Sequence, residues 1–137
     1  MRGGQLRKGE NLVLPRPIGS QLDQLRLLKD GWLEGAGLSP PEAGLDWLRS
    51  AFDRHFPDEA PLPHLYPTER GGVQAEWSIG SMEISLDLNL ATHSGEWHAL
   101  DTKTGEVEER ILRGDDSSEW KWLARQIQAM VEATGRA

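Results

Sequence analysis

Residues 72–90, GVQAEWSIGSMEISLDLNL, decide the fold of this chain. Two runs of alternating apolar and polar residues meet at Gly80-Ser81, and glycine followed by a small polar residue signals a two-residue type II′ hairpin turn. That turn pairs Ile79 with Met82, Trp77 with Ile84, Ala75 with Leu86 and Val73 with Leu88, so the apolar side chains share one face. The other face receives Ser78 beside Glu83, Glu76 beside Ser85 and Gln74 beside Asp87. A slip of one residue would exchange the two faces, which makes the register strongly specified.

Outward from the hairpin, residues 64–66 form a first strand after the proline-punctuated connection PDEAPLPHLYP. On the other side the loop ATHSG leads to a strand near residues 96–101, a glycine-ended turn at residues 102–105 and a returning strand at residues 106–112. This last register sets Asp101 beside Glu106, Ala99 beside Glu108 and Trp97 beside Arg110. Two parities are open. One puts Trp97 on the polar side with Glu76, Glu83 and Asp87; the other sends Trp97 into the core and His98 outward.

Helices flank the sheet in sequence. Ser20 is the expected N-cap of the first, with Asp23 near the positive end of its dipole and Leu22, Leu25 and Leu28 along one stripe. The glycine-rich GWLEGAGL follows, with Trp32 expected to plug the core. It lacks the preceding strand and following lysine of a phosphate loop, and Glu34 would repel the anion. Ser39-Pro40-Pro41-Glu42 predicts the start of a second helix with Leu45, Leu48, Phe52 and Phe56 at helical spacing, and Trp47 and His55 at its flanks. Asp116 as N-cap with Glu119 at N3 opens a third, with Trp120, Leu123, Ile127, Met130, Val131 and Thr134 inward and Trp122 outward beside Lys121 and Arg125. The order predicts an α+β fold: an antiparallel β-meander of four to five strands, with an N-terminal helix pair and a C-terminal helix packed on one face. Residues 20–137 are expected to form a single domain. Residues 1–19, with Arg2, Arg7, Lys8 and Arg16, read as a flexible basic arm in which Leu12-Val13-Leu14 could dock as an edge strand.

The chain has 137 residues, no cysteine and a net charge of −7. The missing thiols exclude disulfides, cysteine nucleophiles and cysteine zinc sites. No apolar run reaches membrane-spanning length, and the expected location is the cytoplasm. Residues 74–116 hold ten acids against three bases, whereas residues 1–73 hold ten against nine and residues 117–137 two against three. The acidity therefore belongs to the sheet, which points to an oriented field. It disfavours direct contact with nucleic acid, whose phosphates recruit Lys and Arg, and favours a basic protein partner.

Asp30-Gly31-Trp32, Ser39-Pro40, and Pro67-Thr68 with Gly71-Gly72-Val73 and Glu76-Trp77 resemble a group of small bacterial proteins with a DGW near the N-terminus and a PT-x-x-GG-V-x-x-EW hairpin. The resemblance spans roughly residues 22–88, and the group usually carries an acidic residue where this chain has Leu33. It implies a shared fold and a mobile bacterial or phage-linked setting, and it brings no catalytic residues. From the residues alone, Trp32 and Trp77 are the expected core anchors and Gly31, Gly71 and Gly72 hold turns.

Catalytic and metal signatures are weak. His93 and His98 with Glu96 or Asp101 match no strong ligand spacing, and no G-x-S-x-G elbow occurs. Glu108 and Glu109 alternate across a strand, and Asp115-Asp116 reads as helix capping. Neither metal nor cofactor is expected. The reading that remains is a non-enzymatic inhibitor of antitoxin or immunity type that blocks a basic partner through the acidic sheet face. Its partner-binding residues are Glu76, Glu83, Asp87, Trp97, Asp101, Glu106, Glu108 and Trp122. Asp101 facing Glu106 costs stability and so calls for a reason beyond folding, which a bound cationic partner would supply. The alternatives are a phage-borne, anti-CRISPR-like inhibitor whose carboxylates imitate phosphate, a small hydrolase or ligand-binding domain near His93, Glu96 and Asp101, and a structural subunit of an assembly.

Overall fold

The computed structural model describes residues 15–135. Helices α1 (Ile18–Leu25) and α2 (Glu42–His55) precede strands β1 (His64–Pro67), β2 (Val73–Ile79), β3 (Met82–Asn89), β4 (Ser94–Asp101) and β5 (Val107–Arg113), and helix α3 (Ser117–Gly135) closes the order. The strands form one five-stranded antiparallel meander in the order β1-β2-β3-β4-β5. This is the α+β architecture expected from the pattern, with the helices on one face of the sheet.

The central hairpin has the register read from its alternation, from Val73 opposite Leu88 to Ile79 opposite Met82. Gly80 adopts φ +58°, as the first central position of a type II′ turn requires. Gly72 enters β2 so close to β3 that a Cβ there would lie 2.6 Å from the Leu88 carbonyl oxygen. Val73, Ala75, Trp77, Ile84, Leu86 and Leu88 are all buried beneath the helices. They meet Leu22 and Leu25 of α1, Leu45, Leu48 and Phe52 of α2, and Trp120, Leu123 and Ile127 of α3. Burial of this much apolar surface is the main favourable term for the fold, at about 1.5–3 kcal/mol for each large side chain.

The helix starts differ from expectation. α1 begins at Ile18 behind Pro17 rather than at Ser20, because Ile18 is itself a core residue spaced four and seven positions before Leu22 and Leu25. Residues 1–14, including Arg2, Arg7, Lys8 and the Leu12-Val13-Leu14 segment, lie outside the described residues, whereas Arg16 is exposed just before α1. Ser39 does not cap α2: its backbone N–H and hydroxyl both donate to Asp30 Oδ1, at 2.9 and 3.0 Å. Pro41 holds the N-cap position and the helix opens at Glu42, since a residue before proline, here Pro40, is pushed out of the helical region. Trp32 is half-buried and outside the core. Its indole N–H donates to the Leu38 carbonyl at 2.8 Å, bracing the glycine-rich loop instead of plugging the interior. α3 starts as expected, with Asp116 Oδ1 accepting from the Ser118 backbone at 2.9 Å and from its hydroxyl at 2.7 Å.

The two edges of the sheet are finished unequally. β1 is four residues long, follows Pro63 and ends in Pro67. Gln21 of α1 reaches over its outer side, accepting from the Leu65 N–H at 2.7 Å and donating to the Pro63 carbonyl at 2.9 Å. β5 is seven residues long, and only Leu112 within it is buried.

Candidate functional site

Strand pairing carries the polar face of the hairpin across the whole sheet. Glu76 and Ser85 continue into His98 and Glu109, and Gln74 and Asp87 continue into Glu96 and Ile111. Tyr66 and His64 of β1 extend the same rows on the other side. Ser78, Asp87, Glu96, His98, Glu109 and Ile111 on this face are exposed. Between its rows lies a depression of about 540 Å³ bounded by Gln74, Ser85, Asp87, Glu96, His98, Glu109 and Ile111.

The carboxylates on this face differ in how they are held. Gln74 donates to Glu76 at 2.6 Å and Ser78 to Glu83 at 2.9 Å, while His98 Nε2 lies 3.5 Å from Glu109. Asp87 and Glu96 are directly opposed across β3 and β4 and have no ion pair among the described residues. Like charges at directly facing positions destabilise a sheet. The cation in the same strand set, Arg113, is turned to Asp116 at 3.3 Å.

Of the residues assigned to partner binding from sequence, Glu76, Glu83 and Asp87 are together on the open face. The others are elsewhere. Trp97 is 1% exposed and opposes Leu86, so the parity that turns it into the core is the one adopted. Trp122 is not a free anchor: its ring packs edge-on against Trp97 with centroids 5.3 Å apart, and the Arg110 guanidinium sits 4.2 Å above it. Glu108 shares the helix side with them and accepts from the Trp97 indole N–H at 3.3 Å. Arg110 in turn pairs with Glu119 at 3.0 Å. These groups form a rim where the sheet runs out from under the helices.

Asp101 and Glu106 stand at the β4–β5 turn. Asp101 accepts from the Lys103 backbone at 2.9 Å and the Ser81 hydroxyl at 3.1 Å, and these bonds hold its carboxyl below the usual carboxylate range. Its charge therefore has a local structural cause, which accounts for the Asp101–Glu106 pair without a cationic partner. The facing pair that lacks such a cause is Asp87 with Glu96. Sequence reasoning left His98 open between the two parities and missed Glu96 and Glu109 as members of the face. The signal was present: Glu96 and His98 alternate with Gly95, Trp97 and Ala99 with the same period of two that sorted the hairpin.

The loop constellation of His93, Glu96 and Asp101 is not brought together. His93 immediately precedes β4 and Asp101 ends it, and the strand between them spans about 24 Å at a rise of about 3.4 Å per residue. His93 is instead a clasp: its ring stacks on Trp47 at 3.9 Å and 6°, and Nδ1 lies 2.9 Å from Asp115. Its positive φ of 62° turns the β3–β4 connection so that the ring reaches α2. Among the described residues there is no cluster of three or more His, Cys, Asp or Glu able to hold a metal. Nor does any of their helices have the length and apolarity to cross a membrane.

The DGW segment has a structural task. Asp30 secures Ser39, and those bonds hold its carboxyl below the usual range. Leu38 N–H then donates to the Glu69 carbonyl at 2.8 Å, tying the loop to the β1–β2 turn. Compared with protein-family models, with curated proteins and with solved structures, the chain matches none.

Proposed function

We propose that the open face of the sheet is a docking surface for a basic protein, and that the chain acts without catalysis as an inhibitor of antitoxin or immunity type. The observation that carries this reading is the directly opposed pair Asp87 and Glu96, exposed and without an ion pair among the described residues, with Glu109 diagonal to Glu96 on the next strand. A lysine or arginine entering the depression between Ser85, Asp87, Glu96 and His98 would remove a repulsion that folding leaves in place. Val107 and Ile111, 52% and 66% exposed on the same side, supply apolar contact at the margin. That role replaces the one first given to Trp97 and Trp122. The carboxylate field would steer association, so affinity falls as salt rises. A mobile bacterial or phage-linked setting, implied by the DGW resemblance, is consistent with such a role.

The test is capture from a lysate of the native host on the immobilised chain, in parallel with the Asp87→Asn/Glu96→Gln variant. Basic proteins should be retained by the wild type at low salt, released by high salt and lost on the variant. Retention that is equal on both, or insensitive to salt, contradicts the reading. Nucleic acid that competes for the retained protein would favour phosphate imitation as the mode of inhibition.

A further inference from the structure

Among the described residues no strand pairs with the outer edge of β5. Two hydrogen bonds fix which of its backbone groups face outward: Asp101 N–H to the Glu106 carbonyl, 2.9 Å, and Gly114 N–H to the His93 carbonyl, 2.7 Å. Bonded pairs alternate with non-bonded pairs in an antiparallel ladder. With Ala99 opposite Glu108 and Trp97 opposite Arg110, the even-numbered residues of β5 bond to β4. The N–H and C=O groups of Val107, Glu109 and Ile111 therefore point away from the sheet. At Arg113 this ends, because its N–H donates to Glu119 Oε1 at 3.3 Å.

Edges are ordinarily blunted by proline, bulges, lysine or a covering element. β1 has prolines and Gln21, whereas residues 107–111 of β5, VEERI, have none of these and carry only the charges of Glu108, Glu109 and Arg110. Their side-chain order is also self-complementary when the strand is reversed on itself about Glu109. Val107 then faces Ile111 on the open side, and Glu108 faces Arg110 on the helix side.

We propose that β5 pairs antiparallel with β5 of a second copy of this chain, about a two-fold axis at Glu109, joining the two sheets into one. The pairing uses each outward N–H and C=O of Val107, Glu109 and Ile111, about six ladder bonds in all. It covers apolar side chains that the monomer leaves 52% and 66% exposed. Opposite charges meet twice, at Glu108 and Arg110. A like pair, Glu109 against its own copy, sits on the axis and keeps the dimer weak. Both helix layers fall on the same side of the joined sheet, so the acidic face becomes continuous. This inference stands on the edge geometry and does not use the Asp87–Glu96 pair, although it shares Val107 and Ile111 with the margin of the docking surface proposed above.

The experiment is sedimentation equilibrium of the full chain over a wide concentration range. The mass should rise with concentration from monomer to dimer. Ile111→Pro removes an outward donor without breaking a bond to β4, and Ile111→Asp buries a charge without altering the backbone. Each should weaken association roughly tenfold or more while far-UV circular dichroism stays native. Glu109→Gln should tighten it by removing the repulsion on the axis. A chain that is monomeric at every concentration overturns the proposal. So does a dimer that both Ile111 variants leave unchanged, or one that Glu109→Gln loosens.

Discussion

On the helix side of the sheet, Trp77, Ile84, Leu86 and Trp97 are 1–3% exposed and belong to one buried cluster with residues of all three helices. On the open side of the same strands, Ser78, Asp87, Glu96 and His98 lie in water. Each strand contributes to both surfaces through alternate residues, so the same backbone holds a packed layer and a charged one. The difference shows where stability resides and where it has been given up. Apolar neighbours on one side reinforce one another, whereas Asp87 and Glu96 on the other oppose one another with no compensating bond. A surface selected for folding alone would have alternated its charges.

The contrast is broken most sharply at Trp97. Trp97→Ala should cost about 3–5 kcal/mol, measured by urea unfolding, as expected for a large aromatic removed from a close-packed core. A loss under about 1 kcal/mol would return Trp97 to the surface. By comparison Glu83→Gln, on the opposite side of the neighbouring strand, should stay within about 0.5 kcal/mol of wild type. Gly72→Ala comes next. Its Cβ would meet the Leu88 carbonyl oxygen at 2.6 Å, and overpacking against backbone costs about 1–3 kcal/mol by the same assay.

A smaller effect separates structural from exposed carboxylates by pH. Hydrogen bonds from Ser39, Lys103 and Ser118 depress Asp30, Asp101 and Asp116 respectively. A depressed folded-state value means that the stabilisation is complete above the ordinary carboxylate value of 3.8 and is lost as pH falls through the folded-state values. Urea midpoints should therefore drop in that acid range. The triple variant Asp30→Ala/Asp101→Ala/Asp116→Ala should show a shallower drop, and an unchanged slope would deny these groups their structural role.

How much was legible follows from how many constraints each segment obeys. In the β2–β3 hairpin the alternation and the Gly80-Ser81 turn agree, so register, faces and turn type could all be read. In β4–β5 the register was legible but the face was not. Glu108 and Arg110 share the helix side with Trp97, and the alternation alone left both parities open. The sheet is wider than its helix layer, so these side chains project past the helices onto Trp97 and Trp122. Sequence alone does not give the width of one layer relative to another. Ser39 was misread for a related reason: its hydroxyl has two chemically suitable uses, and the choice of Asp30 over the helix terminus depends on a loop closure nine residues long.

The smallest effect bears most directly on the claim that the open face gives up stability. Chemical denaturation of wild type and of the Asp87→Asn/Glu96→Gln variant, each at low and high salt, measures it. The account predicts a variant more stable than wild type by about 0.2–1 kcal/mol at low salt, with the gap closing as salt screens the pair. A variant of equal or lower stability at low salt would contradict it.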